Sequence, residues 1–430
     1  MTDAATPTDA GNHSTFRSLR VRNFRLFFAG QLVSQTGTWL TMVAQTLLVL
    51  KLTRSGVAIG LLTACQFLPL LLMGAWAGSV ADRVDKRRLL LWTQAAAMGQ
   101  SLALAAVVFT GHATVPAIYA LALVQGVLTA LDNPARRAFV VEMVPQEMVA
   151  NAVSLNSAVM TGSRVLGPAA AGALVVTVGF GWTFLIDGLS YLAVLYGLWA
   201  MRASELRSAT PGARGPGKVR EGLRYVRGER GLLVPLVMTA VIGTFAINFQ
   251  VTIPLLVTGP LRGGDSTFTI LFSVLSLGSL VGALWTARRT EVTNRQLVVA
   301  AAAFGVAMLG LAAVPGLVAA FPVAVLLGMA SIAFMTSSTS IVQLRAAPEL
   351  RGRVLALQAM VFLGSTPIGG PIVGWVSDVL GPRAGIALGG LACLGAAAWA
   401  AHAFRRPDAG VGLDTPEGRV AEGRAVTLAD

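Results

Sequence analysis

The chain has 430 residues, of which 55% are hydrophobic and only 12% charged. A soluble globule needs a polar skin and commonly carries about 25% charged residues, so this composition excludes a soluble fold and points to the lipid bilayer as solvent. The 33 Lys and Arg against 20 Asp and Glu would suit a nucleic-acid binder, but the charges fall in short runs between apolar stretches and form no single face, which excludes that partner.

In chain order, the first 23 residues are polar, and Arg17, Arg20, Arg22 and Arg25 cluster where they end. No short apolar region with a small-residue cleavage site precedes them, so the first hydrophobic span is expected to act as the insertion signal. A helix crossing the hydrocarbon needs about 20 apolar residues. Twelve such spans are predicted: Phe24–Leu50, Val57–Ala81, Leu89–Phe109, Val115–Leu131, Val149–Val178, Trp182–Met201, Leu232–Val257, Thr267–Ala287, Gln296–Val314, Leu317–Val342, Val354–Val379 and Gly385–Phe404. Between the sixth and seventh lies the longest polar interruption, 202–231, rich in Pro, Gly and basic residues, with a surface helix expected over Lys218–Arg230. It divides the chain into two six-helix bundles, 24–201 and 232–404, and a tail at 405–430 reads as disordered.

Basic residues set the orientation. With the N-terminus in the cytoplasm, the outside loops hold only Lys51, Arg54, Arg262 and Arg383, Arg164 lies within a span, and the other 28 Lys and Arg fall on the cytoplasmic side. Both termini are therefore expected inside a bacterial inner membrane. The halves also echo each other. Gly74 and Gly78 recur as Gly278 and Gly282 at a shift of 204, while Pro145 and the pair Gly167-Pro168 recur as Pro348 and Gly370-Pro371 at a shift of 203. Two related six-helix halves enclose a central cavity and rock about it.

After the second span the chain reads Gly78-Ser-Val-Ala-Asp82-Arg83-Val-Asp85-Lys86-Arg87-Arg88. The fourth span ends in Asp132-Asn-Pro-Ala-Arg136, and the fifth contains Arg164-Val-Leu-Gly167-Pro168 and Gly172. These segments resemble the major facilitator superfamily, in the branch with the enterobactin exporter and macrolide-efflux permeases, from about Phe24 to Phe404. The resemblance implies an all-α membrane fold of two pseudo-symmetric bundles and a cytoplasmic gate at Gly78, Asp82, Arg83 and Arg87, with Arg83 paired to Asp132. It also implies an antiporter-type bend at Gly167, Pro168 and Gly172. Two departures stand out: Asp85 replaces the usual Gly, and Ala122 stands where antiporters of the superfamily carry an Arg.

Charge inside a membrane is functional by default. Asp187 is read as the acid lying well inside a span, and Arg164 as a buried cation costing about 3 kcal/mol unless paired or facing water. Together they are the expected proton-coupling pair, since a guanidinium favours the carboxylate and burial opposes it; a permanent structural ion pair is the plainer alternative. Polar residues at helical spacing on the first span, Gln31, Gln35, Thr38 and Gln45, are expected to line the cavity with Thr244 and Asn248 of the seventh and Phe334 of the tenth. Interhelical hydrogen bonding would explain the same pattern.

The expected function is export of a small amphipathic molecule (a drug, siderophore or secondary metabolite) by proton antiport. The proton gradient is the energy source, and no cofactor, metal or nucleic acid takes part. The working unit is expected to be a monomer. An importer of the same fold and a non-transporting receptor or scaffold are the alternatives. Gly212, Gly217 and Lys218 mimic a nucleotide-binding loop, but Val219 follows where Ser or Thr should hold magnesium. Cys65 and Cys393, far apart, read as structural thiols; His13, His112 and His402 have no metal-ligand spacing, and no catalytic cluster supports an enzyme.

Overall fold

The computed structural model of the protein describes residues 16–207, 218–287 and 292–405. Among these, every regular element is helical. The first half comprises α1 (Arg22–Thr53), α2 (Gly56–Arg83), α3 (Lys86–Phe109), α4 (Val115–Glu142), α5 (Val149–Thr177) and α6 (Gly179–Trp199). A short helix, α7 (Lys218–Gly228), leads into α8 (Arg230–Phe245), α9 (Phe249–Thr258), α10 (Asp265–Ala287), α11 (Asn294–Ala313), α12 (Leu317–Arg345), α13 (Pro348–Leu380) and α14 (Pro382–Ala403). Residues 1–15, 208–217, 288–291 and 406–430, with the tail expected at 405–430 almost whole, lie outside the described residues.

Eleven segments are long and apolar enough to cross a membrane. The twelfth crossing is α1, whose 32 residues make it about 48 Å long. It is not among the eleven because Gln31, Gln35, Gln45 and a run of hydroxyl residues dilute its apolar content. Local signals set the helix ends. Ser55 caps α2 by accepting from the Ala58 N–H, Asp85 caps α3 by accepting from the Arg88 N–H, and Thr293 and Gln296 form a reciprocal capping box at α11. Gly179 (φ 83°) and Gly381 (φ 93°) turn the chain between α5 and α6 and between α13 and α14, a further echo between the halves.

The seventh span is not one helix. It is predicted over Leu232–Val257, but the chain breaks between Phe245 and Phe249 into α8 and α9. Pro254 has no N–H for the carbonyl of Gln250, and its ring crowds the preceding turn. Asn248 stands at the break.

The halves meet along two seams, α2 against α13 and α5 against α10. At the first, a methyl group on Gly56 would come within 2.7 Å of the Gly374 carbonyl oxygen, and one on Gly60 within 2.7 Å of Pro371 Cα, so only glycine allows this backbone approach. At the second, Gly172 packs on Thr269. One apolar core there joins both halves, including Leu48 and Ile59 with Leu256 and Phe268. At the opposite end, which carries Lys86–Arg88 and α7, two separate cores form, one per half: Phe27, Phe139 and Leu198 in the first, Val226, Leu232 and Val354 in the second. This end is called the basic end below, and the other the far end.

Candidate functional site

Between the halves the structure opens a gap toward the basic end. On α2 the face that meets α13 at Gly56 and Gly60 continues through Leu71, which touches Gly364, to Gly74 and Gly78, and these last two have open space in front of them. On α13 the matching face continues through Gly352, Ala356 and Ala359, all exposed. On α5 the face that meets α10 at Gly172 continues as Arg164, Thr161, Ser157 and Ser154, also exposed. Gln250 of α9 closes the ceiling by donating to Met42 Sδ of α1 at 2.8 Å.

The amide stripe of α1 lies behind this wall and is wired to a buried ion pair. Asp132 and Arg136 are one turn apart on α4, only 4% and 6% exposed, and form an ion pair in which Nε and Nη2 of Arg136 both donate to Asp132 Oδ2. Gln94 donates to Asp132 at 2.7 Å and Thr93 at 3.2 Å. Gln35, with its amide oxygen turned to the guanidinium, accepts from Arg136. The expected Arg83–Asp132 pair is therefore not made: α4 continues as helix beyond Leu131 to Glu142, which carries Asp132 into the bundle, while Arg83 is exposed at the basic end. Thr38 shares a hydrogen bond with the Tyr191 hydroxyl at 3.2 Å, and Gln45, one turn beyond Met42, accepts from Gln66 at 2.8 Å.

The expected Asp187–Arg164 pair is also not made. Asp187, 1% exposed, accepts from Thr41 at 2.7 Å, Ser101 at 2.8 Å and Ser190 at 3.5 Å, so three hydroxyls from α1, α3 and α6 converge on it. Arg164 instead stacks on Trp39, its guanidinium carbon 5.1 Å from the ring centroid. Trp39 lies on the face of α1 opposite to Gly37 and Thr41, which face Asp187, so α1 stands between the acid and the base.

In the second half, Thr244 donates to the Ala240 carbonyl and Asn248 to the Thr244 carbonyl, both at 2.7 Å, within their own helical run. Phe334 does not face the cavity: it is 0% exposed and belongs to the joint apolar core. A polar chain runs behind it, from Thr239 to Ser338 at 2.9 Å and from Gln358 to Ser338 at 3.1 Å. Several amide atoms of the central region, Gln31 Nε2, Gln125 Oε1, Asn248 Oδ1 and Gln250 Oε1, are buried with no hydrogen-bond partner among the described residues. An unpaired buried amide costs about 1–3 kcal/mol, so these atoms are poised to take a partner.

Of the expected gate residues, Gly78 faces the gap and Asp82 and Arg83 are exposed at its rim. Arg87 serves its own half, donating to the carbonyls of Leu198 at 2.7 Å and Trp199 at 3.0 Å, where it caps the end of α6. Lys86 pairs with Glu142 at 2.8 Å, tying α3 to α4. Gly167 packs on Trp39 and Thr36, and Pro168 lies inside α5. The far end is fastened by a group that sequence reasoning passed over. Asp378, near the end of α13, accepts from Ser55 Oγ at 2.6 Å and from the Gly56 and Val57 N–H groups at 2.5 and 3.0 Å, so it caps α2 across the seam. The spacing of Asp132 and Arg136 was the available signal for the ion pair; nothing local marks Asp378, whose partner is more than 300 residues away.

A family model described as "Transmembrane secretion effector" matches residues 13–417. The chain is 23% identical to the staphyloferrin A transporter of Staphylococcus aureus (strain NCTC 8325 / PS 47), over 83% of this chain and 90% of that protein. It is 21% identical to macrolide efflux protein A of Streptococcus pyogenes, over 80% and 87%. In fold it is similar to a bacterial homolog of the human lysosomal transporter Spinster, solved in an inward-facing and occupied conformation. That likeness has a TM-score of 0.66, 17% identity, and covers 92% of this chain and 98% of that one.

Proposed function

The chain belongs to the transmembrane secretion effector family of major facilitator transporters, and from this we propose that it exports a small amphipathic molecule by proton antiport. The observation that carries the reading is the gap: open at the basic end, shut at the far end by surfaces drawn from both halves. A solute entering at the basic end meets the exposed α5 hydroxyls and Arg164 before the closed ceiling. Rocking about the α2–α13 and α5–α10 seams would open the far end and release it, which is alternating access. The placement of basic residues supports a basic end in the cytoplasm and a bacterial inner membrane. The names of the relatives, one an efflux protein, favour export.

For the proton we propose Asp187. Of the two acids buried in the first half, Asp132 cannot take a proton without stranding the Arg136 guanidinium, and unpaired buried charge is strongly destabilising. Asp187 is held by hydroxyls alone and can change its protonation state by rotating them. Its contacts on α1, α3 and α6 give that change a route to helix packing.

Proteoliposomes with an imposed pH gradient test the reading. A panel that includes a macrolide and a siderophore-type chelator is expected to give solute movement against its gradient, with matching proton flux reported by a pH-sensitive dye. Asp187→Asn is expected to retain solute binding and lose coupled proton flux. Undiminished proton flux in the folded variant removes Asp187 from the role, and no movement of any solute removes the exporter reading.

A further inference from the structure

Resting on the exporter reading, we infer that the solute is an amphipathic anion and that Arg164 with Trp39 forms its charge-reading subsite. Arg164 lies on α5 between the contact of Gly167 with α1 and that of Gly172 with α10. The opposite face of α5 carries Leu166 and Val176, exposed as expected of lipid-facing residues, so Arg164 points inward, toward the gap. It is solvent-accessible yet sits between the halves, two turns below their seam.

Its chemistry is unspent. No hydroxyl, carbonyl or carboxylate among the described residues engages it; its contact is the Trp39 ring face. A contact with the ring face alone gives its N–H donors no hydrogen-bond acceptor, so they are free to take a carboxylate, sulfonate or hydroxamate. Trp39 adds an apolar plate beside the charge, so the subsite suits an acid group attached to a ring or chain.

Asp82 stands at the rim at the basic end, but no described acid forms an ion pair with Arg164 to balance this cation. Asp132 is tied to Arg136, and Asp187 is sealed behind α1. A cationic solute in this subsite would meet Arg164 with no acid paired to it, and like charges in a confined site repel. An anionic solute would also be drawn by the basic end, where Arg83 and Arg88 are exposed in a chain of net charge +13.

Three probes sharing one fluorophore test this: dansylglycine, its methyl ester and dansyl-ethylenediamine, which are anionic, neutral and cationic. Binding to purified full-length protein in nanodiscs is read by energy transfer from tryptophan, and transport in proteoliposomes under a pH gradient. The wild type is expected to bind dansylglycine at least about tenfold tighter than either partner, the worth of one charge-assisted hydrogen bond. Arg164→Gln is expected to erase the difference without changing the neutral probe, Arg164→Lys to keep part of it, and Trp39→Phe to weaken all three while preserving their order. Equal or reversed affinities in the wild type would overturn the inference, as would an unchanged preference in Arg164→Gln that elutes as a single folded species. Coupled transport of the cationic probe sinks the anion assignment and leaves the exporter reading standing. No transport of any probe or panel compound sinks both.

Discussion

Arg136 and Asp132 satisfy each other inside α4, with Gln94, Thr93 and Gln35 taking up their remaining valences. Removing one member leaves a charge buried in the bundle. Arg136→Ala is therefore expected to cost about 3–5 kcal/mol, seen as a lowered midpoint in a thermal unfolding scan in detergent, whereas the paired change Asp132→Asn with Arg136→Gln should cost less. Phe334 makes a contrasting case. It is packed on all sides, so Phe334→Ala should destabilise by roughly 3–5 kcal/mol and leave the relative affinities of bound solutes unchanged; altered selectivity would return it to the cavity. At this scale the sequence was legible where a rule is local. The amide stripe of α1 and the intramembrane charges were visible as spacing on one helix. Which charge meets which was not, because Asp187 and Arg164 are close along the chain and α1, more than a hundred residues earlier, passes between them.

Among the helices, α2 and α13 form the closest seam between the halves. They run antiparallel, so Asp378 near the end of α13 caps the start of α2 at the far end, and Asp82 near the end of α2 occupies the corresponding place at the basic end. Asp378→Ala should weaken the far-end closure. Spin labels at the exposed positions Leu52 and Leu380, in a variant with Cys65 and Cys393 replaced by Ala, are expected to move apart in Asp378→Ala relative to its parent, and Asp378→Glu to restore part of the short distance. An unchanged distance distribution would show that the cap is incidental. Gly60→Leu should act in the same direction and more strongly, since the added side chain would strike the backbone of α13. The twelve crossings themselves could be read from apolar run lengths. The division of the seventh into α8 and α9 could not, because a proline inside a membrane helix bends, breaks or merely strains it according to its neighbours.

For the whole molecule, the two-bundle architecture was announced by the shift of 203 to 204 residues, a long-range regularity that survives where single contacts do not. The same global view yields an orientation test. Cysteines placed at Arg88 and Arg207 are expected to react with a membrane-impermeant maleimide from one side, and those at Arg54 and Arg262 from the other; a mixed pattern would dismantle the proposed topology. Of the described crossings α1 comes first in chain order, carries the most amides and is the one too polar to stand among the eleven apolar segments, and the helices it packs on most fully, α5 and α6, are synthesised roughly a hundred residues later. Gln45 finds Gln66 once α2 follows, but Gln35 waits for Arg136 of α4, and Thr38 and Thr41 wait for Tyr191 and Asp187 of α6; such a helix is retained beside the insertion machinery instead of partitioning freely. Nascent chains halted after α3 should therefore leave α1 extractable by alkali and open to proteolysis, and chains extended through α6 should lock it in place, making the biogenesis of the first half a single late event.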